Sequence, residues 1–210
     1  MLRLSPDDAV RRAATLAASG NRRILGITGP PGAGKSTLAR LLHDEIDGAV
    51  VVGMDAYHLA HSALERLGLA ERKGAPETFD AAGYVALLRR IKAGEHVWAP
   101  EFRREIEDAV AGAVAVPPDA RLVITEGNYL LLGREHWRPV RALADEIWYV
   151  DLPEDVRQAR LAARHEAFGR TAEQAWERTL GSDELNARLV IATREDADVV
   201  VDVRTSSRPR

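Results

Sequence analysis

Nine consecutive residues, Gly29-Pro30-Pro31-Gly32-Ala33-Gly34-Lys35-Ser36-Thr37, bring three glycines, a lysine and two hydroxyls into the spacing GxxxxGK[ST]. Glycines in that spacing let backbone N–H groups turn inward around phosphate oxygens, and a following helix adds the partial positive charge of its N-terminus. Lys35 is then placed to reach the β- and γ-phosphates of a nucleotide, and the Ser36 hydroxyl to sit on Mg²⁺. The context fits. Arg23-Ile24-Leu25-Gly26-Ile27-Thr28 is a short apolar run of strand length, and Leu38, Leu41, Leu42 and Ile46 recur behind the motif at helical spacing. A glycine-rich turn with a chance lysine would not need these neighbours.

Other residues could complete such a centre. Asp55 follows the apolar run Val50 to Met54, at the carboxyl end of a strand, where open α/β sheets bind their ligands. A carboxylate there can accept the proton of an attacking hydroxyl, or it can cap the helix that begins near Tyr57. Glu126 ends Leu122-Val123-Ile124-Thr125 in the same way and suits the Mg²⁺ side of a phosphate site, its alternative being a capping or surface acid. Arg160, Arg164, His165 and Arg170 gather around Gly169 near a helix end. The arginines read either as guanidinium groups that close over a transferring phosphate or as a solvated charged face. His58, His61 and His96 have no metal-ligand spacing, and Trp98, Trp137, Trp148 and Trp176 read as packing residues.

The elements that must position these groups can be read from hydrophobic pattern. Five apolar runs predict buried parallel strands: Ile24 to Thr28, Ala49 to Met54, Leu122 to Thr125, Ile147 to Val150 and Val199 to Val203. Helical patterns separate them, so the expected fold is α/β, a five-stranded parallel sheet flanked by helices. Ser5-Pro6-Asp7-Asp8 signals a helix start, Tyr84, Leu87, Leu88 and Ile91 mark one helix face, Pro153-Glu154-Asp155 opens a helix to about Phe168, and Thr171 to Gln174 is a capping box. One connection, residues 55–121, is far longer than a crossover needs and holds two β segments, Glu95 to Trp98 and Val110 to Val116. We read it as a substrate lobe. Tyr57, His58, Lys73, Phe79, Asp80, Phe102 and Arg103 are its candidate pocket residues, with Asn128 and Tyr129 facing them from the sheet. The tail from Thr205 to Arg210 reads as disordered.

The 210 residues fit one α/β domain with an insertion, and the net charge of −3 gives no basic footprint for nucleic acid. Lysine occurs only at Lys35, Lys73 and Lys92, so arginine is the default cation and Lys35 and Lys73 stand out. There is no cysteine, no long apolar span and no signal-like N-terminus, which together predict a cytoplasmic protein without disulfides.

These motifs resemble the uridine kinase, pantothenate kinase and phosphoribulokinase branch of P-loop kinases over nearly the whole chain. The resemblance rests on GPPGAGKST, on Met54-Asp55-Ala56-Tyr57-His58-Leu59, on Lys73-Gly74-Ala75-Pro76-Glu77-Thr78-Phe79-Asp80, on Glu126-Gly127-Asn128-Tyr129-Leu130-Leu131 and on Arg160 to Arg170. It implies ATP as donor, Mg²⁺ as cofactor and a small-molecule hydroxyl as acceptor, and a homodimer among its usual assemblies. It also implies Asp55 as catalytic base, Glu126 as the acid after the second nucleotide-binding strand, Arg164 and Arg170 as lid arginines, and a lid over residues 160–171. Lys73 to Asp80 is similar to the KGxPE[ST][YF]D stretch of bacterial pantothenate kinases and of small nucleoside or fructose-transport kinases. Uridine kinases carry a Phe-Asp pair where this chain has Lys73-Gly74, and pantothenate kinases are longer.

The sequence thus predicts an ATP-dependent kinase of a nucleoside, a pantothenate-like compound or a sugar. A nucleoside monophosphate kinase or a non-catalytic ATP-binding regulator is the alternative. A GTP switch would need an Asn-Lys-x-Asp reader, which none of the three lysines supplies.

Overall fold

The computed structural model describes residues 1–204, the Glu135 side chain excepted, so the tail expected to be disordered lies outside the described residues. The chain opens with β1 (Leu2–Leu4) and α1 (Pro6–Ala17). Ser5 caps α1 by accepting the Asp8 N–H at 3.2 Å, and Pro6 occupies the first turn, where its missing N–H has no cost. Next come β2 (Arg23–Thr28), α2 (Lys35–Glu45), β3 (Ala49–Gly53), α3 (His61–Arg66) and α4 (Ala81–Lys92). An antiparallel pair, β4 (Val97–Arg103) and β5 (Asp108–Val116), precedes β6 (Leu122–Glu126), α5 (Pro139–Leu143) and β7 (Glu146–Asp151). The chain closes with α6 (Glu154–Ala167), α7 (Ala172–Leu180), α8 (Ser182–Ile191) and β8 (Val199–Asp202).

The main sheet is parallel throughout, in the order β1-β8-β7-β2-β6-β3. It has six strands where the sequence predicted five. The extra one, β1, has three residues and is mostly exposed, so it carries no apolar run to read. The other five lie where expected within two residues at each end. Because neighbouring side chains on a strand point to opposite faces, each strand feeds two cores. Leu25, Ile27, Ile124, Trp148 and Val150 pack with α1 and α2. Ile24, Val52, Val123, Ile147 and Tyr149 pack with α4 and the aromatic residues Phe79, Tyr84, Tyr129 and Trp137.

The segment 55–121 holds α3, α4 and the β4–β5 ribbon. The ribbon register slips between Ala99 and Glu101, around Pro100, which has no N–H to offer the ladder. That slip changes which side chains of β4 face inward. Tyr84 fastens the segment to the sheet: its hydroxyl lies 2.6 Å from Thr125 Oγ1, and Thr125 donates to the Val52 carbonyl at 2.8 Å. This buried chain joins α4, β6 and β3 next to the strand ends that carry Glu126 and Asp55. Thr171 forms the expected capping box with Gln174 at the start of α7.

Candidate active site

The glycine-rich loop lies between β2 and α2, at the carboxyl edge of the sheet. Gly34, at the N-cap of α2, has a left-handed backbone with φ 101°. Lys35 folds its ammonium back onto the loop and donates to the carbonyls of Gly29 at 2.9 Å and Pro30 at 3.2 Å. Burial lowers its pKa to about 8, against the pull of Glu126 and Asp55. Gly32 has φ +83°, and a Cβ there would meet the Arg157 carbonyl oxygen at 2.7 Å. Gly32→Ala is therefore expected to weaken nucleotide binding and to cost about 1–3 kcal/mol of stability. Thermal unfolding and an ATP titration of the variant check both.

Ser36 follows on the first turn of α2, and its hydroxyl donates to Glu126 Oε1 at 3.2 Å. Burial and the nearby Asp55 raise the pKa of Glu126. A hydroxyl beside a carboxylate that is costly to leave charged is an oxygen donor set suited to a small divalent cation. Asp55 lies in a 3-10 turn, Met54–Tyr57, directly after β3, and its side chain caps nothing. Of its two readings, the cap is therefore removed. Its nearest cation is Arg104, with Nη2 3.8 Å from Oδ2. His58 donates from Nδ1 to the Asp55 carbonyl across 2.8 Å, because a carbonyl can only accept, and burial lowers its pKa.

Lys35, Ser36, Asp55, Glu126 and Arg164 line one cavity of about 710 Å³. Its far wall is made by His58, Phe79 and Phe102, the His58 ring lying 3.9 Å from Phe79 and 5.5 Å from Phe102 by centroids. Lys73, Asn128, Arg170 and Arg178 also line it. A second cavity, of about 600 Å³, lies on the other side of the loop between Pro6, Leu38, Leu41, Val203 and Arg160. Arg164 borders both. Among the described residues the Arg164 side chain makes no hydrogen bond or ion pair, and burial followed by Arg104 lowers its pKa. Gly169, with φ +91°, lies between α6 and α7, next to Arg170.

Four of the predicted pocket residues lie elsewhere. Tyr57 turns its ring onto Tyr84 in the core, 5.3 Å away edge-on. Asp80 is the N-cap of α4 and accepts the Gly83 N–H at 2.8 Å. Tyr129 is buried, and its hydroxyl donates to the Gly74 carbonyl at 2.6 Å, so it braces the pocket from behind. Arg103 points outward to Glu101, and Arg104 takes the position expected for it. Period-two alternation could have found this: if Phe102 faces the pocket, its partner on that face is Arg104. Arg157, Arg178, Asp183 and Glu184 went unread, because no local motif marks these four positions on their helices.

A nucleotide-sized loop at the switch point of a parallel sheet, with acids at two neighbouring strand ends, defines a P-loop kinase fold. The family model for the phosphoribulokinase / uridine kinase family matches residues 24–208, and the chain belongs to that family. It is an ATP-dependent phosphotransferase with an alcohol group as acceptor. A candidate uridine kinase of Schizosaccharomyces pombe is 34% identical over 97% of this chain and 95% of its own length. The Escherichia coli K12 protein YggC is 32% identical over 89% of this chain and 80% of its own. The crystal structure of a candidate fructose transport system kinase from Silicibacter sp. TM1040 is 36% identical and superposes with a TM-score of 0.85, covering 94% of this chain and 98% of that one.

Proposed function

We propose that this chain transfers the γ-phosphate of ATP to a hydroxyl of a small polar molecule held in the larger cavity. The observation that carries the reading is the convergence of Lys35, Ser36, Asp55, Glu126 and Arg164 on one cavity. ATP lies along the phosphate loop, its base toward Leu38, Leu41 and Val203. Lys35 leaves the Gly29 and Pro30 carbonyls for the more negative phosphate oxygens. Ser36 and Glu126 would hold Mg²⁺, which when bound neutralises charge on the β- and γ-phosphates. Asp55 accepts the proton of the acceptor hydroxyl, and Arg104 beside it keeps the carboxylate oriented. Arg164 neutralises the phosphoryl group from the lid side.

In this reading, residues 55–121 are the acceptor lobe and residues 160–171 the lid, parts of a single kinase domain. Arg170 guides the acceptor side. His58, Phe79 and Phe102 offer a ring-lined wall to a flat or apolar face of the acceptor, while Lys73 and Asn128 offer polar contacts. Lys73-Gly74 places no carboxylate where a ribose-binding aspartate would stand. This favours a sugar or pantothenate-like acceptor over a nucleoside.

An ADP-release screen across sugars, phosphorylated sugars, pantothenate and nucleosides tests the assignment. At least one acceptor is expected to raise ADP release well above the acceptor-free rate. Lys35→Ala is expected to lower that rate by at least about 10²-fold, since a preorganised cation facing the phosphates is removed. An unchanged rate in the variant, or no acceptor-stimulated release in the parent, would sink the reading.

A further inference from the structure

We infer that the first turn of α8 couples the phosphate loop to the acceptor loop, residues 73–78, and that Arg178 is the positioning residue at its acceptor end; this rests on the donor and acceptor sites proposed above. Two adjacent acids, Asp183 and Glu184, begin this helix. Glu184 reaches the donor side. Its Oε2 accepts from Arg157 Nη2 at 2.6 Å, and Arg157 Nη1 lies 3.4 Å from the Pro31 carbonyl oxygen. Both side chains are nearly buried, at 2% exposed for Arg157 and 10% for Glu184. Gly32 packs directly on the Arg157 backbone.

Asp183 reaches the other way. Its Oδ2 lies 2.7 Å from His165 Nε2 on α6, and its Oδ1 lies 3.9 Å from Arg178 Nε on α7. Arg178 Nη2 donates to the Lys73 carbonyl at 2.8 Å. The next carbonyl, Gly74, is held from the sheet side by the Tyr129 hydroxyl, and the Gly74 N–H donates to Thr78 Oγ1 at 3.0 Å. Polar contacts therefore run from Pro31 through Arg157 to Glu184, the backbone of α8 carries the connection to Asp183, and a 3.9 Å ion pair to Arg178 followed by its hydrogen bond completes it to Lys73. Close-packed interiors deform little, and buried hydrogen-bonded groups tolerate few alternative positions. A shift of Pro31 on taking up phosphates is passed through Arg157 to α8, and from there to the carbonyl that Arg178 holds. Linkage makes the effect reciprocal: an occupied acceptor loop tightens ATP binding by the same factor.

Hydrogen exchange of the full chain tests this, with a non-hydrolysable ATP analogue plus Mg²⁺ as the probe. The amides of Lys73, Gly74, Ala75 and Thr78 are all internally bonded and serve as reporters. In the parent protein the analogue is expected to slow exchange at both the phosphate loop and these reporters, the latter by about 5–150-fold. In Arg178→Gln the phosphate-loop protection is expected to persist and the analogue-dependent slowing at the reporters to vanish. Glu184→Gln is expected to do the same, and the variant at Arg178, whose side chain is 26% exposed, decides if that buried change prevents folding. A brace without coupling would speed reporter exchange equally with and without the analogue, leaving the ratio intact, and would overturn the inference. Parent reporters that ignore the analogue while the phosphate loop responds would overturn it alone. A phosphate loop that ignores the analogue would overturn it together with the donor site on which it rests.

Discussion

Arg164→Ala is expected to lower kcat by about 10³-fold or more, the lower end of what arginines facing a transferring phosphoryl group supply. ATP affinity should change far less, because the guanidinium is matched to charge that develops in the transition state. Arg164 is singled out by position. It borders both cavities, whereas Arg160 borders only the one lined by Leu38 and Val203, and Arg170 only the one lined by Asp55. Among the described residues its guanidinium makes no close ion pair, and Asp183, Asp55 and Glu126 act on it only at longer range, so it is left able to take a phosphate oxygen. Single-turnover rates of Arg160→Ala, Arg164→Ala and Arg170→Ala, with ATP affinities measured separately, would rank the three. A rate for the Arg164 variant within about tenfold of the parent, with a larger loss at Arg170, would move the role to Arg170.

Asp55→Asn is expected to slow phosphoryl transfer by about 10²–10⁴-fold while ATP still binds. Asparagine keeps the shape and one carbonyl oxygen but cannot take the proton of the acceptor hydroxyl. The structural cost should be small, since the Asp55 side chain caps no helix and its closest cation is 3.8 Å away. A near-normal rate in this variant, with an unchanged melting temperature, would show that the hydroxyl needs no base in the enzyme.

The donor half of the site could be read from the sequence because its chemistry is local. Nine adjacent residues form the loop, and the strand before it and the helix after it follow from pattern alone. Asp55 and Glu126 were legible for a related reason: each ends an apolar run, and parallel strands bring such ends to one edge. The acceptor half was read less well. Tyr57 and Tyr129 are aromatic residues beside motif positions, and nothing local distinguishes a ring that lines a pocket from one that packs behind it. Arg103 and Arg104 are neighbours that face opposite ways; the register slip at Pro100, a property of the strand pair, sets the facing of Phe102, and alternation from Phe102 then gives Arg104. Arg157 and Arg178 find their partners 126 and 105 residues away along the chain, a separation at which hydrophobic period carries no signal. Strand β1 was missed because its pairing with β8 comes from the sheet edge and not from its own three residues.

The lysine that folds back onto Gly29 and Pro30 has a thermodynamic meaning for nucleotide binding. Ordering a glycine-rich segment costs more conformational entropy than ordering any other composition. Here the ammonium, the left-handed glycines and the packing of Gly32 on α6 give the loop its concave shape before nucleotide arrives. The entropic loss is then part of folding, and the affinity for nucleotide is not reduced by it. A bound nucleotide then exchanges the two neutral carbonyl contacts of Lys35 for charged phosphate ones, so the loop is a preorganised template in which the largest rearrangement falls on one side chain and the backbone shifts little.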